Sequence, residues 1–303
     1  ASAVEARLVG LLSAHEAGVA SFRLTQSDDL AAIPQDPRNP LTPARVALGR
    51  LLFHETALAT VPARDENRGT YSCATCQHAG AGVEAGVPQG IGEGGVGLRG
   101  RTARADHAPG ELDVQPIRTP TAMNTAWQDV VLWNGALGAA GPNRGTEPAW
   151  DPDAPTADNA LGYQGLETQA IAGQGVHRLD PSAAPVLWTD ATYRRLFAEA
   201  FPAVPEHERY DRERVGLAIA AYERTLLANR APFQRWLRGE ATLSPAELRG
   251  AVSFFDDSPG AGRCVRCHTG PALSSMTFHA LGMGDLEADG LDVHGAGPDD
   301  AAR

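Results

Sequence analysis

Residues 212–239, RERVGLAIAAYERTLLANRAPFQRWLRG, carry apolar side chains at helical spacing, and the pattern predicts a helix broken near Pro232. Two shorter runs, LTPARVALGRLLF at 41–53 and LSPAELRGAVSFF at 243–255, align with each other without a gap and open as helices do. Thr42 or Ser244 can cap the first turn, Pro43 or Pro245 falls at the first helical position, and Ser244 with Glu247 makes a capping box. The Gly- and Pro-rich tracts at 78–110 and 138–165 read as loops. Gly90, Gly92 and Gly95 have the spacing of a dinucleotide-binding turn, but no strand pattern precedes them and no helix pattern follows, so they are read as loop too. Sustained strand alternation is hard to find. The expectation is a mainly α chain with long irregular loops, built from two related modules.

Composition narrows the classes. The chain of 303 residues is 43% hydrophobic, enough for a sizeable core and, on length, about two domains. No apolar run approaches the roughly 20 residues that a membrane-spanning helix requires, so no membrane insertion is expected. A net charge of −11 without a single lysine argues against a nucleic-acid groove, which needs clustered cations. The opening ASAVEARL, without methionine, fits an exported chain whose signal peptide has been removed, and a periplasmic location is expected.

The four cysteines bring in chemistry. They form two close pairs, each a short distance after one copy of the repeat. Cys264, Cys267 and His268 spell C-x-x-C-H, the pattern of covalent haem c attachment. Thiols at i and i+3 lie on one side of a helical turn and can reach two vinyl groups, while a histidine at i+4 points its imidazole at the iron. The first pair, Cys73 and Cys76 in YSCATCQHAG, departs from this, because Gln77 stands where the histidine belongs and His78 follows it. A zinc site made of both pairs would need hooks about 15–20 residues apart, whereas most of the chain separates these. A disulfide within one pair would leave the repeat unexplained, so haem attachment is the preferred reading. Its axial ligand is Gln77 or His78. Imidazole binds iron far better than an amide oxygen, which favours His78, although one extra residue turns it by about 100° around a helix and demands a local bulge.

Taken together, IPQDPRNPLTPARVALGRLLFHETAL, YSCATC, IRTPTAMNTAWQDVVLWNG, GLETQAIAG, AIAAYERTLLANRAPFQRWLRGE and CVRCHTGPALSSMTFHALG resemble the bacterial di-haem cytochrome c peroxidase and MauG family. The resemblance implies two cytochrome c-like helical domains, each with one covalently bound haem, divided here at residues 1–184 and 185–303. It makes the N-terminal haem the centre that reacts with hydrogen peroxide and the C-terminal haem an electron relay. Trp133 matches the tryptophan that carries the oxidising equivalent between them, and Gln169 matches the distal-pocket glutamine.

Three departures stand out. The family's catalytic glutamate falls on Leu179, which leaves His177 and Glu167 as the groups able to move protons, His177 being favoured for its pKa. Thr119 replaces an asparagine that helps hold calcium, leaving calcium open. Family members continue beyond the equivalent of Arg303, so the distal ligand of the second haem is expected outside this sequence, Met276, His279 and Met283 all having ordinary packing roles available. The resemblance thus implies a haem peroxidase-type oxidoreductase. Its partner is a small redox donor protein or, as in the MauG and MbnH branches, a protein substrate whose residue is oxidised, a direction the missing glutamate slightly favours. The alternative is an electron-transfer di-haem cytochrome closed to peroxide.

Overall fold

The computed structural model describes residues 2–97, 101–115 and 118–279. It is mainly helical. Nine α-helices run α1 (Ala3–Ser13), α2 (Pro43–His54), α3 (Cys73–Cys76), α4 (Gly165–Val176), α5 (Val186–Thr189), α6 (Ala191–Ala200), α7 (Arg212–Glu223), α8 (Pro232–Leu237) and α9 (Pro245–Phe255) among the described residues. The one sheet among them is a minimal antiparallel pair, β1 (Gly95–Val96) with β2 (Thr102–Ala103), in register Gly95 to Ala103.

These helices belong to two compact units, one of residues 35–224 and one joining 2–34 to 225–279. The boundary expected at 184/185 therefore lies inside the larger unit. The reason is packing: α7 lies against both α2 and α4, and α6 against α2, so the segment after 184 completes the core begun at residue 43. Each unit holds one cysteine pair.

In the larger unit α7 is buried all round, from Val215 through Ala221, as a central helix must be. Its neighbours approach through glycines. A Cβ on Gly49 of α2 would lie 1.8 Å from the Ala218 carbonyl oxygen of α7, and one on Gly216 of α7 would lie 2.9 Å from the backbone of Ile171 on α4. Backbone cannot swing aside as a side chain can. Gly49→Ala is expected to cost about 3 kcal/mol, the upper end for overpacking, read as a lowered denaturation midpoint at unchanged slope.

Where α7 ends, Arg224 turns inward. Its Nε and a terminal nitrogen donate to the two Glu167 carboxylate oxygens at 2.9 and 2.6 Å, and that same nitrogen donates to Gln164 Oε1 at 2.9 Å. Asn39 also donates to Glu167, at 3.1 Å, and both charged side chains are fully buried. The helix ends at Glu223, well before the break expected near Pro232. Pro232 instead starts α8, where its missing N–H costs nothing.

The smaller unit packs α1 on α9 around Leu8, Leu12, Phe22, Leu237, Leu248, Val252, Phe255 and Val265. Gln234 ties the N-terminal segment in by accepting from Leu24 N at 2.9 Å and donating to the Phe22 carbonyl at 2.8 Å. Both repeat copies open as the sequence dictates. Thr42 accepts from Arg45 N at 3.1 Å, and Ser244 and Glu247 exchange both capping-box bonds.

Candidate active site

The second cysteine pair follows α9 in the smaller unit. Cys264–Arg266 form a single 3-10 turn, and His268 N donates to the Cys264 carbonyl at 2.9 Å, which sets the i, i+4 register. His268 Nδ1 sits 3.2 Å from the Leu273 carbonyl, and the imidazole is exposed. One ring nitrogen fixed on a carbonyl with the other left open is the arrangement of a metal-ligating histidine. Of the distal-ligand candidates, Met276 has its sulfur 3.8 Å from the Ser274 hydroxyl, His279 is exposed, and Met283 lies outside the described residues.

The first pair repeats this geometry with a different side chain. Cys73 and Cys76 bound α3, and Gln77 N donates to the Cys73 carbonyl at 3.0 Å, as His268 does to Cys264. The Gln77 amide nitrogen donates to the Pro120 carbonyl at 3.1 Å, the counterpart of His268 Nδ1 on Leu273. His78 has left the helix. Its backbone is extended and bridges to Glu84, its Nε2 meets the Ala85 carbonyl at 3.1 Å, and its Nδ1 is buried in protein without a partner. The bulge needed to bring that ring round is absent among these residues, because the extended backbone at His78 directs the ring into the 83–86 loop.

A test of whether the residues fit a prosthetic group comes from the unpartnered atoms. Seven buried side-chain polar atoms among the described residues lack a hydrogen bond, and four of them belong to residues that adjoin this pair in sequence, share a neighbour with it or act electrically on its sulfurs: His78, Thr119, Arg101 and Glu223. Thr119 Oγ1 and Cys76 Sγ both crowd Gly90, where a Cβ would lie 2.5 and 3.1 Å from them, so the missing side chain keeps the sulfur reachable. Cys73 and Cys76 are free thiols, as are Cys264 and Cys267. Burial, and then the charge of Glu223, pushes the Cys73 thiol up to about 12. Burial and Asp113 do the same for Cys76, against the pull of Arg101. Thiols held neutral and polar atoms lacking protein partners fit covalent haem at this place.

On the Cys76 side stands a proton-handling pair that sequence reasoning missed in part. His177, where α4 ends, donates from Nδ1 to Asp113 Oδ2 at 2.8 Å, and the Gln115 amide meets its Nε2 at 3.2 Å. Burial opposes a charge on His177, but the Asp113 carboxylate and its hydrogen bond outweigh that and hold the imidazolium above the usual histidine range. The His177 side chain keeps 31% of its surface exposed. Gln169 is half-buried on α4, two residues and about 200° around the helix from Glu167, so the two face opposite ways. Leu179, at the position of the family's glutamate, is a core residue. Trp133 is 75% exposed. Glu66, Asp106 and His107 are close enough to hold a metal ion, but Arg64 and Arg104 already pair with this cluster.

The chain is mainly helical with one C-x-x-C turn in each unit, and it belongs to the di-haem cytochrome c peroxidase family, whose model residues 43–242 match. Among individual relatives, methylamine utilization protein MauG of Methylorubrum extorquens is 27% identical over 264 residues, 87% of this chain and 59% of that one. Cytochrome c peroxidase Ccp of Escherichia coli K12 is 26% identical over 258 residues, covering 85% and 43% respectively. The fold is shared with a solved MauG-like protein associated with microbial copper homeostasis, at TM-score 0.53 and 22% identity over 84% of this chain and 60% of that one. The chain thus spans three-fifths or less of these proteins' lengths. No helix among the described residues is long and apolar enough to cross a membrane.

Proposed function

We propose that this protein is a periplasmic di-haem oxidoreductase that reacts with hydrogen peroxide at a haem held by Cys73 and Cys76, with a second haem on Cys264, Cys267 and His268. The observation that carries the reading is the Asp113–His177 pair beside the Cys76 sulfur, because breaking a peroxide O–O bond requires a proton for the leaving oxygen. Haem iron, when bound, supplies the electrons. The chain supplies the rest. Asp113 fixes the His177 ring and stabilises its charged form, so the imidazolium can protonate the departing oxygen, and Gln115, whose amide can donate or accept, follows the ring through both states. Gln169 orients the peroxide. Glu167, locked by Arg224 and Asn39, keeps α4 in place and does not shuttle protons.

Trp133 passes the oxidising equivalent on towards the second haem, and its exposed indole suits exchange with a partner at the surface. That partner is a small redox donor or a protein whose own residue is oxidised. Calcium is no part of this reading. Adding peroxide to the ferric protein is expected to change a high-spin optical signal. A wholly low-spin spectrum indifferent to peroxide would make the protein an electron carrier instead.

Gln77, rather than His78, would hold the iron of the first haem, because Gln77 shares the register and the anchoring bond of His268 while the His78 ring meets the Ala85 carbonyl. An amide oxygen is a weak ligand and would favour a high-spin iron. His78→Ala is expected to leave the ferric optical and paramagnetic resonance spectra of the first haem unchanged, and Gln77→His to convert them to those of an imidazole-ligated iron. The opposite pattern would return the role to His78.

A further inference from the structure

We propose that Glu223 holds a proton in the first haem site and releases it as that site is oxidised, a positioning residue that ties proton movement to electron movement. The inference rests on the reading that Cys73 and Cys76 carry a haem.

Glu223 is the last residue of α7, only 4% exposed, and its Oε2 is enclosed in protein with no hydrogen-bond partner. A buried polar group left so is destabilising, and more so when charged. A leucine here would cost nothing of the kind. The neighbouring cation offers no relief, because Arg224 is committed to Glu167 on α4. The groups that act electrically on Glu223 are Glu167, which repels its charge, and Arg224 on its own element, which attracts it. From α2, Gly49 faces Ala218 and Tyr222, and the charge of Arg50 is felt at Tyr222. From α3, packed on the same α2, comes Cys73, whose sulfur feels the charge of Glu223 and which ceases to titrate once it is a thioether. Glu223 is thus a buried carboxyl at the end of α7 whose charge reaches the attachment sulfur and whose Oε2 has no hydrogen-bond partner.

Burial and the like charge of Glu167, against Arg224, push the carboxyl up to about 8, so it enters the site neutral. Loss of one electron leaves the site one charge more positive and favours the carboxylate: the reduced site with Glu223–COOH becomes the oxidised site with Glu223–COO⁻, one electron and one proton. The proton leaves to solvent and returns with the electron. By linkage, the potential falls as pH rises between the carboxyl's value in the oxidised site and its higher value in the reduced site, and is flat outside that window.

The test is a spectroelectrochemical titration of the holoprotein across neutral and alkaline pH, following the first haem. Its potential is expected to fall towards 59 mV per pH unit, the value for one proton per electron. The slope disappears in Glu223→Gln and persists in Glu223→Asp. Oxidised-minus-reduced infrared spectra are expected to show a carboxylic C=O band lost on oxidation and absent from Glu223→Gln. A slope that survives in Glu223→Gln, or that vanishes only in Asp113→Asn, overturns the proposal. A denaturing mass spectrum showing no haem on the Cys73–Cys76 pair defeats the functional reading itself, whereas two attached haems with an unchanged slope defeat only the role of Glu223.

Discussion

Arg224→Ala is expected to destabilise the protein by about 3–5 kcal/mol, the largest effect of any single substitution considered. Arg224 has no exposed side-chain surface and lies against a carboxylate that is equally buried. Removing the guanidinium leaves Glu167 charged, out of water and with only Asn39 to serve it. The consequence is asymmetric. Replacing both partners, as in Glu167→Leu with Arg224→Met, removes the orphaned charge and is expected to cost less than Arg224→Ala alone. Urea denaturation of Glu167→Leu, Arg224→Met and the double variant closes the cycle, with Arg224→Ala measured beside it. A loss below about 1 kcal/mol for Arg224→Ala, the range of an exposed pair, would show that the pair is not buried in solution.

The second large effect concerns rate. His177→Ala is expected to lower peroxide turnover by about 10²–10⁴-fold, the usual contribution of a positioned acid, with haem absorbance unchanged. Asp113→Asn should keep the ring in place and move the pH profile. Asp113 is what raises the His177 pKa against burial, so without it the active imidazolium form is lost at lower pH and the alkaline fall in kcat/KM shifts downwards. The sign for stability is the same. A histidine whose folded pKa is raised adds stability in full below its unfolded value, about 6.5, and that stability is lost as pH rises through the folded value. A profile unmoved by Asp113→Asn would remove His177 from the proton path.

Much of this architecture was legible in the chain because it is local. Caps at Thr42 and Ser244, prolines at the first helical position and the cysteine spacings each act over a few residues, and the structure forms the caps as read. What was not legible acts over distance. The joining of residues 2–34 to the C-terminal module depends on Gln234 reaching Phe22 and Leu24, which no periodicity encodes. Asp113 and Gln115 meet His177 from a loop more than sixty residues away. Their alternation in an extended DVQ did place both side chains on one side, a weak signal. The Glu–Arg pair at 223–224 was a stronger one: two charges so soon after the apolar run 215–221 must each find a partner or a purpose. Arg224 finds Glu167, and Glu223 finds no protein partner for its Oε2.

His78 teaches a different lesson. Ligand strength favoured imidazole over amide, and that ranking is sound chemistry. Position is what favours Gln77 in the function proposed above, because backbone at Gln77 and His78 leaves the helix and sends the ring into the 83–86 loop, while Gln77 has the register that His268 has in the other unit.

The central claim is that both cysteine pairs carry haem, and a denaturing mass spectrum of the purified holoprotein tests it most directly. Two haem masses are expected on the polypeptide, with one lost from a Cys73→Ser, Cys76→Ser variant and the other retained. A single mass on the unaltered chain, unaffected by that double substitution, would contradict it.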